Sequence, residues 1–210
     1  QNGVRGGSAT VHFPIWHQEI EDILVLKNNK GTEDNRVRKL DYSIQLSKIF
    51  YERFIKDEEI TLFSPNNVPG LYEAFGLPEF DDLYIKYEND KKIPKKKIKM
   101  QDLFMDLLKE RAETGRIYIM NIDHCNTHSS FKDKIYMSNL CQEITLPTKP
   151  IQHIDDKNGE IALCILSAVN LGLIKDKDDL EELCDLSVRA LDEIIDYQQY
   201  PVEAARISTQ

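Results

Sequence analysis

The stretch MQDLFMDLLKERAETGRIYIM, residues 100–120, decides the fold class. Leu103, Phe104, Leu107 and Leu108 recur at helical spacing between Met100 and Thr114, giving one apolar face on an otherwise charged segment. Gly115 is the expected stop, because glycine takes the left-handed backbone that ends a helix at little cost. Arg116-Ile117-Tyr118-Ile119-Met120 then reads as a strand. A helix that feeds a strand across one glycine is the joint of an α/β chain.

The same alternation runs outward on both sides. Upstream, Thr10 to Trp16 reads as a short strand interrupted by Pro14, and His17 to Lys27 carries helical spacing. Apolar residues from Val37 to Leu46 precede a second helix holding Ile49, Phe50, Phe54 and Ile55. Ile60 to Phe63 is a compact strand, Ser64-Pro65 a helix or turn opener, and Leu71 to Tyr87 is helical in pattern. Downstream, Asn121 to Ser130 reads as a polar turn, and Asn139 to Leu146 as an extended segment ending at Pro147. Ile161-Ala162-Leu163-Cys164-Ile165-Leu166 is an unbroken apolar run of buried-strand length. Asp178 to Tyr197 closes the sequence as a long helix, capped at Asp178 with Glu181 three residues on. The pattern predicts an α/β architecture with a largely parallel sheet or barrel, treated as one incomplete unit with no internal repeat.

Composition narrows the function. At 210 residues the chain has the size of one large domain or two small ones. Its 27 basic and 36 acidic residues leave a net charge of −9, which argues against a nucleic-acid or acidic-membrane binder. Six lysines between Lys91 and Lys99 therefore read as a solvated surface connection rather than a phosphate site. No apolar run approaches the ~18 residues of a membrane span. Four cysteines without a CxxC pair fit a reducing cytosol better than a secreted disulfide framework. The abrupt start QNGVRGG, without an initiator Met, reads like a piece of something longer.

Few residues could carry chemistry. Cys184 lies on the apolar stripe of the last helix and reads as a small hydrophobe. Cys125, in DHCNTH at 123–128, superficially suggests zinc, but adjacent residues rarely bind one ion together, so a polar turn is the better reading. The segment SNLCQE at 138–143 differs. If extended, its period of two puts Asn139, Cys141 and Glu143 on one face, about 7 Å apart along the strand. That face would offer a hydrogen-bonding orienter, a nucleophile or hydrogen carrier, and a general base. An edge strand with a polar side and a chance cysteine fits the pattern equally well. Cys164 reads either as a buried inert thiol or as a thiol lining a barrel and able to form a disulfide. Gly3, Gly6 and Gly7 give the opening loop the backbone freedom to approach a ligand closely, and Arg5 supplies a cationic fork for phosphate or base edges; three glycines around an arginine describe an ordinary mobile loop equally well.

Taken together, the chain resembles the large (α) subunit of aerobic, class I ribonucleotide reductases. The resemblance is carried by QNGVRGGSAT at 1–10, LVLKNNKGTEDNRVRKLDYSIQ at 24–45, ITLFSPNNVPGLYEAFG at 60–76, ERAETGRIYIMNIDHCNTHS at 110–129, SNLCQEITLPTKP at 138–150 and NGEIALCILSAVNLG at 158–172. It implies part of a ten-stranded α/β barrel with a central finger loop. Residues 1–210 are then a partial catalytic barrel domain without a complete second domain. Within it, 1–10 is a specificity loop, 138–146 the finger-loop region and 158–172 a strand carrying a redox cysteine.

The resemblance also implies roles. Cys141 becomes the transient thiyl radical that takes the 3′ hydrogen of a ribonucleoside diphosphate. Glu143 accepts the 3′-hydroxyl proton, Asn139 hydrogen-bonds the ribose hydroxyls, and Cys164 is one member of the reducing thiol pair. Gln1 and Arg5 match contact positions of the loop linking an effector site to the substrate base. No metal is expected on this chain: a di-metal/tyrosyl radical cofactor belongs to a small (β) subunit, and nucleoside triphosphates act as effectors. Other implied partners are thioredoxin or glutaredoxin and a second copy of the full subunit, in the cytoplasm, with neither nucleic acid nor membrane. The isolated chain is expected to be inactive. The alternatives are a glycyl-radical type sharing the barrel, and a non-catalytic, stand-alone or split-gene fragment that binds nucleotide or a partner subunit.

Overall fold

A computed structural model describes residues 6–209, which form two compact units, one ending at Leu146 and the other starting at Pro147. The expected specificity-loop contacts Gln1 and Arg5 lie outside the described residues.

The first unit opens with β1 (Thr10–Pro14), which stops at the proline, and α1 (Ile20–Leu24), whose Ile20, Ile23 and Leu24 are buried. Next come β2 (Asp41–Leu46) and α2 (Lys48–Ile55), then β3 (Glu59–Leu62) and a 3-10 turn at Pro65–Asn67. The helical pattern from Leu71 to Tyr87 resolves into α3 (Leu71–Ala74) and α4 (Phe80–Asn89). Gly76, at φ +87, divides them, and a Cβ there would come within 2.8 Å of Ile122 Cγ1. Only glycine meets both demands without strain.

The lysine run is not wholly a connection. Its end forms β4 (Lys96–Lys99), antiparallel to β3 with Glu59 opposite Lys99 and Leu62 opposite Lys96. Lysines on such a strand keep its free edge from pairing with another chain. α5 (Met100–Thr114) follows and ends at Gly115, with φ +68, so the helix–glycine–strand joint stands as read. Its buried face is Met100, Leu103, Leu107 and Glu110, whereas Leu108 is 38% exposed. β5 (Ile117–Asn121) leads into α6 (Ile122–Thr127), so the expected polar turn is a short helix.

β1, β2 and β5 form a parallel sheet in the order β1-β2-β5, with Phe13 opposite Ile44 and Ile44 opposite Ile119. Beneath it Trp16, Phe50, Phe63, Phe75, Phe80 and Tyr84 are fully buried, several of them edge-on, as with Phe50 and Tyr84 at 5.5 Å. The Tyr84 hydroxyl donates to the Thr61 carbonyl and accepts from the Thr61 N–H, both at 2.7 Å, and burial pushes its pKa up. Beside it Arg53 grips Glu88 through two bonds of 2.8 and 2.7 Å, and Thr61 Oγ1 adds a third. Burial opposes ionisation of Glu88, yet those hydrogen bonds outweigh it and hold the carboxyl below its ordinary value.

In the second unit, Lys149 and Glu160 exchange backbone bonds and an ion pair, and Asp156 accepts from the Gln152 and Asn158 amides. The expected buried strand over 161–166 is not formed: residues 161–170 make no ladder, and Leu166 is 71% exposed. A purely apolar strand needs hydrogen-bonded neighbours and cover on both faces, and none of the described residues provides them. α7 (Lys177–Tyr197) starts earlier than expected, capped by Asp176, whose carboxylate accepts from the Asp179 amide. None of its residues is buried, so its apolar stripe, Cys184 included, is not a core face in this unit. α8 (Glu203–Thr209) ends the described chain. Among the described residues no helix is long and apolar enough to cross a membrane.

Candidate active site

The segment 138–144 is a closed loop rather than a strand. The Gln142 N–H donates to the Asn139 carbonyl at 3.2 Å, placing Leu140 and Cys141 at the two centres of a tight turn. Its neck is sealed by Asn139 and Ile144. Asn139 N–H donates to the Ile144 carbonyl at 3.3 Å, and the Ile144 N–H donates to Asn139 Oδ1 at 3.0 Å. Ser138 Oγ adds a bond of 2.6 Å to the Ile144 carbonyl. The alternation that would set Asn139, Cys141 and Glu143 on one strand face is therefore absent. The physical cause is local: an Asn side chain that bonds a nearby backbone amide competes with a strand ladder, and here it wins.

What the turn loses in alternation it gains in attachment. Thr10 Oγ1 of β1 donates to the Leu140 carbonyl at 2.7 Å. On β2, Ser43 Oγ donates to Gln142 Oε1 at 2.7 Å, and Gln45 Nε2 donates to the Tyr136 carbonyl at 2.6 Å. Gln142 Nε2 donates to the Ile119 carbonyl of β5 at 2.7 Å. All three strands of the parallel sheet thus hold the loop. At its end Cys141 and Glu143 are exposed, and Asn139 is half-buried. With its Oδ1 spent on the neck, the Asn139 amide NH2 makes no hydrogen bond to the described residues.

These anchors were not singled out from the sequence, although a signal exists. Ser43 and Gln45 sit in DYSIQL, a strand buried along nearly its whole length. Polar side chains in such a strand require partners, and here Ser43 finds its partner in the loop and Gln45 in the segment leading into it.

Two further cysteines are candidates from the sequence. Cys164 is exposed in the irregular segment of the second unit. Cys125 is half-buried on α6, where burial raises its thiol pKa. His124 and His128 stack edge-on at 5.6 Å, but no three His, Cys, Asp or Glu side chains among the described residues are placed to hold a metal ion.

Comparison with known proteins assigns the chain to a family. The sequence profile described as ribonucleotide reductase, barrel domain, matches residues 1–210. The chain belongs to the ribonucleotide reductase family. Among its relatives are proteins named ribonucleoside-diphosphate reductase subunit alpha. The one from Buchnera aphidicola subsp. Schizaphis graminum is 61% identical over 99% of this chain and 28% of its own length. The Haemophilus influenzae protein is 61% identical over 100% of this chain and 28% of its own. That of Enterobacteria phage T4 is 47% identical over 98% and 28%. The chain thus spans a little over a quarter of the length of these relatives.

Proposed function

We propose that this chain is the part of a ribonucleoside-diphosphate reductase α subunit that carries the hydrogen-abstracting thiol. The protein would convert ribonucleoside diphosphates into 2′-deoxyribonucleoside diphosphates for DNA synthesis. The observation that carries this reading is Cys141, exposed at the end of a turn held by all three strands, between the free amide of Asn139 and the exposed Glu143. A thiol that must meet one carbon of a small sugar needs such a rigid support, because reacting atoms have to sit ~3–3.5 Å apart.

In this reading Cys141 gives up its hydrogen atom and becomes a thiyl radical, the oxidising equivalent coming from a di-metal/tyrosyl cofactor on a small β subunit. The thiyl takes the C3′ hydrogen of the ribose while Glu143 accepts the 3′-hydroxyl proton. The Asn139 amide donates to the ribose hydroxyls. The C2′–O bond then breaks and the 2′-hydroxyl, protonated, leaves as water. Cys164 and a second thiol supply two electrons and two protons and become a disulfide. Cys141 finally returns its hydrogen to C3′, restoring the thiyl. The sum is one C2′–OH and two thiols converted into one C2′–H, one water and one disulfide.

The three parallel strands are read as part of a ten-stranded α/β barrel, with 138–146 as its finger and 158–172 as the segment bearing the redox cysteine. Residues 1–10, with Gln1 and Arg5, would link a nucleoside triphosphate effector to the substrate base. Thioredoxin or glutaredoxin would reduce the disulfide, and the full subunit would act as a dimer in the cytoplasm. A direct test is Glu143→Gln in a full-length α subunit carrying this sequence, assayed with the small subunit. A lost general base costs roughly 10²–10⁴-fold in kcat, and a variant turning over at the parental rate would overturn the role of Glu143.

A further inference from the structure

The turn bearing Cys141 depends on a neighbour whose backbone is unusual. Gln142 has φ +63, and Asp57 is the other non-glycine residue with positive φ among those described. For a side chain with a Cβ this conformation is uncommon and costs energy, so the surroundings must hold it in place. They do so through the side-chain amide. Its oxygen accepts from Ser43, a fully buried residue on β2, and its nitrogen donates to the Ile119 carbonyl on β5, each at 2.7 Å. Ser43 and Ile119 occupy adjacent registers, Ser43 opposite Tyr118 and Ile44 opposite Ile119, so one amide spans the β2–β5 seam. The residues flanking Gln142 are the exposed Cys141 and Glu143. Neither of those two side chains bonds to the sheet, so Gln142 is the tether closest to both.

We propose that Gln142 is a positioning residue for the Cys141 thiol, its amide clamping the turn to β2 and β5 so that the sulfur stands at a fixed place above the sheet. This rests on the reading of Cys141 as the hydrogen-abstracting thiol. Gln142 need not touch substrate, so its loss should leave substrate binding intact and spoil the distance over which hydrogen moves. A misplacement of about 1 Å is worth about 10²-fold in rate.

The test uses a full-length α subunit with its small subunit, and Gln142→Leu, Ser43→Ala, their double variant, Gln142→Glu and Cys141→Ser. Gln142→Leu should lower kcat about 10²-fold, with KM for the ribonucleoside diphosphate within about twofold. Ser43→Ala, which leaves the Ile119 bond, should lose less. The double variant should be no worse than Gln142→Leu, because both substitutions remove one clamp. Gln142→Glu separates positioning from filling space. An ionised carboxylate can accept from Ser43 but cannot donate to Ile119, whereas a protonated one can do both. Its kcat relative to the parent should therefore rise as pH falls, and the deficit of Gln142→Leu should not change with pH. Should Gln142→Leu fail to fold, Ser43→Ala and the pH profile of Gln142→Glu carry the decision. Parental kcat in the Gln142 variants, or a loss confined to KM, overturns the positioning role while an inactive Cys141→Ser leaves the functional reading standing. Turnover by Cys141→Ser would overturn that reading itself.

Discussion

A full-length α subunit in which Cys141 is replaced by serine is expected to lose ribonucleoside-diphosphate reduction altogether, by at least about 10⁴-fold in kcat. The substitution exchanges one atom in an exposed side chain at the end of a turn. None of the bonds that hold the loop is made by the Cys141 side chain: the tethers are Thr10 to Leu140, Ser43 to Gln142, Gln142 to Ile119 and Asn139 to Ile144. Folding and nucleotide binding should therefore stay as they are. The chemistry should not, because a hydroxyl holds its hydrogen far more tightly than a thiol and does not become a hydrogen-abstracting radical under the same driving force. Steady-state deoxynucleotide production, checked beside the melting temperature, measures both halves of this expectation. Turnover within tenfold of the parent would mean that Cys141 is not the reacting group.

Replacing Cys164 by serine should act at a different point. Removing the 2′-hydroxyl as water requires two electrons, and the pair that supplies them must close into a disulfide, which a serine cannot join. The first hydrogen abstraction should survive, but no deoxynucleotide should form, because a single remaining thiol cannot supply both electrons by closing a disulfide. The variant should not be rescued by thioredoxin- or glutaredoxin-type reductants. Cys164 is exposed in a segment without ladder partners, and Cys184 is exposed on α7. Cys184→Ser is the matched control and should turn over normally. Sustained turnover in Cys164→Ser would remove it from the reducing pair.

How far the sequence foretold this arrangement differs from one element to the next. The joint of α5, Gly115 and β5 was fully legible, because an amphipathic period and a left-handed glycine are local properties. The strand read into 161–166 was not realised, because a continuous apolar run reports a need for burial and says nothing about what supplies it. At the site, the residue types at 139, 141 and 143 were legible, but their geometry was not. A period of two assumes a ladder, and Asn139 and Ser138 spend their side chains closing the loop onto Ile144 instead. The tethers were out of reach for another reason. Ser43 and Gln142 are 99 positions apart, and only the packed sheet brings them together.

The measurement that bears most directly on the anchored thiol is a competition between protiated and 3′-deuterated ribonucleoside diphosphate. Both are present in equal amounts before the full-length subunit and its radical-generating partner. If Cys141 takes the C3′ hydrogen, the protiated molecule is consumed faster and the remaining substrate grows richer in deuterium as conversion proceeds. A substrate ratio that stays constant from start to finish would contradict hydrogen abstraction at C3′, and with it the role assigned to the turn.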